Sequence, residues 1–180
     1  MTYANRGLAF EQMIDYTNQM YEQKGIAIIN KRPTPIRVTS TRNGIVEGFF
    51  EKPSTVDYDG IYKGRPIVFE AKSVAGDRFP FQNLPEHQAE YLFKTARHGA
   101  ISFLLVEFRK SDEIYLMFAE KLEPYWELYK KGVRKASILP ITAFKLHGHR
   151  VTSGRVPIDY LRAIWRALRG GLLKSEEKKG

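Results

Sequence analysis

Residues 7 to 23, GLAFEQMIDYTNQMYEQ, carry Phe10, Met13, Ile14, Thr17, Met20 and Tyr21 at spacings of three and four, with polar residues between them. That spacing predicts an amphipathic helix, capped by Asn5 and stopped at Gly25. IAIIN, 26 to 30, reads as a short buried strand. KRPTP, 31 to 35, holds two prolines, which remove donors and fix φ, so no regular element is expected there. IRVTS alternates apolar and polar positions, TRNG is a turn signal, and IVEGFFEK resumes extended chain; together 36 to 52 predicts a projecting hairpin with a polar, basic tip. Thr55 to Tyr62 and Pro66 to Ser73 predict the next hairpin, turning at Lys63-Gly64-Arg65.

Further along, PEHQAEYLFKTARHG at 85 to 99 predicts a helix between Pro85 and Gly99. ISFLLVEF at 101 to 108 and EIYLMFA at 113 to 119 predict strands, and KLEPYWELYKKG at 121 to 132 a helix. PIDYLRAIWRAL, 157 to 168, predicts a last helix with Tyr160, Leu161, Ile164, Trp165 and Leu168 on one face. Helical spacing among apolar neighbours favours core packing over base stacking for Trp126 and Trp165. The order of helix, strands and helices predicts an α/β or α+β fold built on a central mixed sheet flanked by helices. One domain over 1 to 172 is expected, with a flexible tail over 173 to 180.

The longest apolar run, ISFLLV at 101 to 106, is far too short to span a membrane. Arg6 and Glu11 interrupt the region where a signal peptide needs unbroken apolar sequence. The absence of cysteine excludes disulfides and thiolate metal sites and fits a reducing compartment, so a cytoplasmic protein is expected. Charge changes the picture more: 29 Lys and Arg stand against 20 acids. From Lys130 to Lys174 there are eleven cations and one acid, Asp159, a net +10. Such a surface attracts polyanions, of which phosphate backbones are the commonest.

Against that background the segment DYDGIYKGRPIVFEAK, 57 to 72, stands out. Strand alternation places Asp57 near Glu70 and Lys72 on one face of the predicted hairpin, with Thr55 and Asp59 on the same face. Ile67, Phe69 and Ala71 then face the core. Two neighbouring carboxylates repel unless protonated or joined by a cation, and their hard oxygens suit Mg²⁺. A lysine beside such a site can offset charge developing on phosphorus. On spacing alone the same pattern also describes a solvated strand face or a surface salt bridge. HGH at 147 to 149 reads as a loop, His87 and His98 have no nucleophile partner, and no GxxxxGK[ST] loop is present.

These residues resemble the PD-(D/E)xK nucleases, and more closely the RecU family of Holliday junction resolvases. NRGLAFE at 5 to 11, KRPTP at 31 to 35, TVDYDGIYKGRPIVFEAK at 55 to 72, FPFQNLPEHQ at 79 to 88 and PIDYL at 157 to 161 follow the family's order. The resemblance implies a restriction-endonuclease-like fold and a Mg²⁺-dependent endonuclease, with Mn²⁺ as the alternative ion. It implies metal ligands at Thr55, Asp57, Glu70 and Gln88 and a transition-state stabiliser at Lys72. Glu11 matches an acidic position near the metal in related nucleases; its other reading is a helix acid answering the dipole. Asp59 is read as a turn residue or one outside the ligand set. The hairpin corresponds to a stalk that enters a four-way junction, a few residues shorter here, with Arg37 and Arg42 expected to meet DNA. KRPTP offers Lys31 and Arg32 as a stiff basic edge to phosphates. The other readings of these two segments are an ordinary mobile hairpin and a plain proline loop. A homodimer acting on branched DNA is implied, with a recombinase or branch-migration protein as a further partner. Two alternatives remain: a related nuclease with another DNA target, and a non-catalytic DNA-binding module that bridges or anneals strands or regulates a recombinase.

Overall fold

A computed structural model describes residues 3–33, 36–50 and 55–176. The amphipathic N-terminal segment is α1 (Tyr3–Gln23), followed by β1 (Ala27–Lys31) and a separate hairpin of β2 (Ile36–Arg42) and β3 (Ile45–Phe50). Next come β4 (Tyr58–Tyr62), β5 (Arg65–Val74), a short β6 (Arg78–Pro80) and α2 (Glu86–Arg97). The chain continues through β7 (Ile101–Phe108), β8 (Glu113–Phe118), α3 (Ala119–Lys130) and β9 (Ile138–Pro140). It ends with α4 (Ile141–His147), β10 (His149–Val151) and α5 (Tyr160–Glu176).

The main sheet has the order β1-β4-β5-β7-β8-β10. Only β5 and β7 run parallel, which requires the crossover that α2 supplies between them. Both of these strands are buried on two faces, in keeping with RPIVFEAKSV and ISFLLVEF being apolar in near-continuous runs. On one face α1 and α5 pack Phe10, Ile14, Tyr160 and Ile164 against Tyr58, Phe69 and Phe103. Those three strand rings stack in series at 4.7 and 4.8 Å, and each such pair contributes about 0.5–1.5 kcal/mol beyond its burial. On the other face α2, α3 and α4 bring Leu92, Trp126 and Phe144 over Val68, Leu104 and Val106. The sheet flanked by helices that the sequence predicts is present.

Every described side chain from Arg37 to Phe49 is exposed, so the β2–β3 hairpin stands clear of both cores. Its turn is Asn43-Gly44, at φ 51° and 79°, the left-handed pair a two-residue hairpin turn needs. Residues 51 and 52 of the predicted hairpin lie outside the described residues, as do Thr34 and Pro35 of KRPTP.

Several expectations differ from what is observed. α1 begins at Tyr3, so Asn5 lies inside it and not at its cap. His147 ends α4 and His149 begins β10, so HGH is not a loop. β1 is an edge strand that leaves Ile28 exposed. The strand expected from Thr55 begins only at Tyr58. The last helix starts at Tyr160 and runs on to Glu176, while 177 to 180 lie outside the described residues. Its core contact ends at Ile164, so Trp165 and Leu168 are 41% and 39% exposed, whereas Trp126 is buried as expected. Among the described residues no helix is long and apolar enough to cross a membrane.

Candidate active site

The β4–β5 ladder pairs Tyr58 with Phe69 and Asp59 with Val68, so the next step of the register sets Asp57 opposite Glu70. There the ladder is replaced by side chains. The Asp57 N–H donates to Glu70 Oε2 at 3.0 Å, and the Ala71 N–H donates to Asp57 Oδ2 at 3.1 Å. Because the Asp57 amide goes to a carboxylate and not to a strand carbonyl, β4 cannot extend back to Thr55. The exchange also fixes two carboxylates side by side. Lys72, two residues on and on the same face, brings Nζ to 2.5 Å from Glu70 Oε1.

Glu70 is fully buried, and burial, reinforced by the Asp57 charge, pushes its carboxyl up to about 8; Lys72 opposes this less strongly. The Lys72 contact is an ion pair without hydrogen-bond alignment, which leaves Glu70 Oε1 with no hydrogen bond. Gln88 is buried on α2, whose Ala89 and Leu92 pack on the same side of the sheet as Val68. Gln88 Oε1 likewise has no partner among the described residues. A buried acceptor without a donor is costly in a folded protein.

Thr55 lies in the irregular segment ahead of β4, where its Oγ1 accepts from Arg32 Nη1. The Arg32 Nε donates to Asp59 Oδ2 at 2.9 Å, its backbone N–H to the Asp57 carbonyl at 2.8 Å, and its guanidinium lies 5.5 Å from the Tyr91 ring centroid. Arg32 therefore points inward and clamps the segment that carries Thr55 and Asp57. Asp59 is a strand residue held by that clamp. Glu11 instead pairs with Lys31 at 2.6 Å, and Asp15 lies 3.7 Å from the same ammonium. The Glu11 hydrogen bond holds the Lys31 ammonium above its ordinary value. Among the described residues no hydrogen bond or ion pair joins Glu11 to Asp57 or Glu70; α1 reaches β4 through the Tyr58 hydroxyl, which donates to Asp15 Oδ1 at 2.7 Å. Arg37 and Arg42 are exposed on the hairpin, Arg42 next to its turn.

The structure thus brings Asp57, Glu70 and Lys72 into contact, sets Gln88 on the same side of the sheet, and keeps Glu11 with Lys31. Sequence reading missed the Arg32 clamp and Asp15; the second had a signal, since Asp15 follows Glu11 by one helical turn. Among the described residues no three His, Asp or Glu side chains converge, so any ion here rests on two carboxylates plus uncharged oxygens. Two adjacent carboxylates, with a Gln88 oxygen that has no hydrogen-bond partner and a Glu70 oxygen held only by the Lys72 ammonium, are a donor set that fits a hard divalent cation.

The family model described as "RecU: Recombination protein U" matches residues 5–166, and the chain belongs to the RecU family. Its relatives include the Holliday junction resolvase RecU of Geobacillus sp. (strain WCH70), 36% identical over 170 residues that cover 90% of this chain and 84% of the relative. The Holliday junction resolvase RecU of Streptococcus sanguinis (strain SK36) is 35% identical over 181 residues, 96% of this chain and 88% of the relative. Among solved structures, Archaeoglobus fulgidus Hjc, a Holliday junction resolvase, aligns with a TM-score of 0.45 and 12% identity over 78% of this chain and 93% of that one.

Proposed function

We propose that this chain is a metal-dependent endonuclease that resolves DNA four-way junctions by paired nicks in opposing strands. The observation that carries the chemistry is the contact of Asp57, Glu70 and Lys72 at one end of the β4–β5 hairpin. The family and the names of its curated relatives supply the substrate.

Asp57 and Glu70 would hold a divalent ion, Mg²⁺ or in its place Mn²⁺, with Gln88 Oε1 and the second lone pair of Thr55 Oγ1 completing the protein's share. Such an ion, when bound, polarises the phosphoryl group and lowers the pKa of an attacking water. The protein's own residues do the rest. Lys72, paired with the buried Glu70 and with its own side chain 24% exposed, would offset negative charge as it grows on phosphorus. Arg32 fixes the Thr55–Asp57 segment, so the ligand oxygens are set before DNA arrives. Arg37 and Arg42 give the hairpin cations for the phosphates of the junction, and Lys31, paired with Glu11, borders the clamp. Two cuts in opposing strands call for a twofold homodimer. One nuclease domain acting in the cytoplasm, alongside a recombinase or a branch-migration protein, completes the reading.

The test is cleavage of a labelled four-way junction with Mg²⁺, beside duplex and flap DNA, by wild type and Asp57→Ala. Symmetric nicks on the junction alone, lost in the variant while binding persists, are expected. Cutting of flap or duplex at equal rates would point to another nuclease specificity. Tight binding without cutting by wild type would point to a binding module.

A further inference from the structure

The β4–β5 hairpin carries the carboxylate cluster at one end; at the other, beside its Lys63-Gly64 turn, a cavity of about 660 Å³ opens toward the start of α5. Arg65 and Glu70 are five residues apart on β5, so about 16 Å of strand separates the two places. Lys63, Arg155, Arg162 and Trp165 line the cavity, and Asp159 is the one acid among its lining residues.

Asp159 is already committed. Its Oδ1 accepts from the Tyr21 hydroxyl at 2.9 Å and the Arg162 N–H at 3.3 Å, and its Oδ2 from the Arg155 N–H at 3.1 Å. Gly154 packs so closely here that a Cβ would lie 2.5 Å from Asp159 Oδ2 and 3.1 Å from Arg162 Nη1. The loop and the helix start are therefore held in place, and the cations sit on a fixed frame. Among the described residues none of Lys63, Arg155 and Arg162 forms an ion pair, whereas Lys110, Lys130 and Lys145 each hold a surface carboxylate. Lys63, Arg155 and Arg162 are three cations against the one Asp159 carboxylate, so the lining keeps a net +2 that favours an anion. Trp165 supplies an exposed indole at the same cavity, with the Arg169 guanidinium 4.7 Å from its ring. Aromatic rings beside cations are how proteins hold unpaired bases with their phosphates, and a cavity of this volume takes one nucleotide, not a duplex.

We propose that this cavity binds a nucleoside phosphate, its base against Trp165 and its phosphate among Lys63, Arg155 and Arg162. Two sources share that chemistry: a nucleotide of an unpaired DNA strand and a free nucleoside monophosphate. The site is separate from the metal site and stands without it.

The chain has two tryptophans, and Trp126 is buried, so Trp165 reports on the cavity. Full-length protein in chelator is titrated with a short oligothymidylate and, separately, with thymidine monophosphate, following tryptophan fluorescence. Quenching by the oligonucleotide alone assigns the site to a strand; quenching by both assigns it to the nucleotide itself. With dye-labelled oligothymidylate followed by polarisation, Trp165→Ala weakens binding roughly tenfold and Trp165→Phe only slightly. The Arg155→Gln/Arg162→Gln variant weakens it by about tenfold or more. Lys63→Gln, on an exposed turn where folding is not at stake, weakens it as well. No quenching by either probe, or wild-type affinity in the Lys63→Gln and Arg155→Gln/Arg162→Gln variants, overturns the proposal.

Discussion

Replacing Glu70 by Gln is expected to abolish cutting and, in the absence of metal, to make the protein more stable. Glu70 is fully buried beside Asp57, and its carboxyl is pushed from 4.5 up to about 8 by burial first and by the Asp57 charge second. In the unfolded chain the carboxyl returns to its ordinary value, so ionisation favours unfolding. Those two values amount to about 3 kcal/mol against the folded state at neutral pH. Below about 4.5 both states keep the proton and the penalty is absent; it grows as pH rises from there and levels off above about 8. A Gln side chain keeps an acceptor for the Asp57 N–H, now 3.0 Å from Oε2, but turns an amide group toward Lys72. The value of about 8 already contains the Lys72 attraction, so that pair is not subtracted again. Setting a buried amide against the Lys72 ammonium offsets part of the gain, leaving about 1–2 kcal/mol in favour of the variant at neutral pH. Urea denaturation in chelator, at about pH 5 and about pH 8, measures the difference. The variant's advantage should be near zero at the lower pH and largest at the higher. Added Mg²⁺ should then stabilise wild type and leave the variant unchanged. An advantage that does not vary with pH would show that Glu70 does not carry the burial penalty, and the reasoning would fail.

Other substitutions separate fold from chemistry. A Cβ at Gly60 would lie 2.0 Å from the Ile28 carbonyl oxygen and 2.7 Å from the Ile29 Cα, so Gly60→Ala must part β1 from β4; a loss of at least about 3 kcal/mol is expected by thermal denaturation, and a wild-type melting temperature would contradict the close approach. Arg32→Lys keeps the charge but loses the fork that joins Thr55 to Asp59. Its cutting rate should fall about tenfold while junction affinity in chelator stays within a factor of about two; equal losses in both would make Arg32 a DNA contact instead of a clamp. Mixed dimers with one Asp57→Ala subunit should nick one strand without resolving the junction, and full resolution by them would rule out one cut per subunit.

The elements that read well from the sequence are those whose own residues decide them. Phe10, Ile14 and Tyr21 repeat on one face of α1, and the apolar run of β7 is bounded as predicted at 101 and 108. The short pieces β6, β9, α4 and β10 did not announce themselves, because three to seven residues carry too little periodicity and pair only with distant partners. Thr55 to Asp57 alternates like the strand that follows it, yet a side chain across the hairpin takes the amide that would continue the ladder. At the candidate site, the nearness of Asp57, Glu70 and Lys72 was legible because one tight turn fixes the register between them. The Arg32 clamp was not, since Thr55 and Asp59 lie 23 and 27 residues away and a basic residue beside a proline carries no sign of which way it turns. Trp165 looked like core because helical spacing cannot tell where the sheet beneath a helix stops.

The exposed hairpin and the Arg32 clamp are also neighbours along the chain. β2 begins four residues after Arg32, and Thr55 follows the last residue of β3 by five. Both legs of the hairpin are thus moored at one knot, where Arg32 meets Thr55 and the Asp57 carbonyl. On the function proposed above, tension on the hairpin from a stiff, branched substrate would reach that knot before the sheet, and the proposed ligand oxygens of Thr55 and Asp57 take their spacing from it. Grip and bite would then share a fulcrum, and a substrate that loads the two legs unevenly would be felt at Asp57 as a displacement, not merely as weaker adhesion.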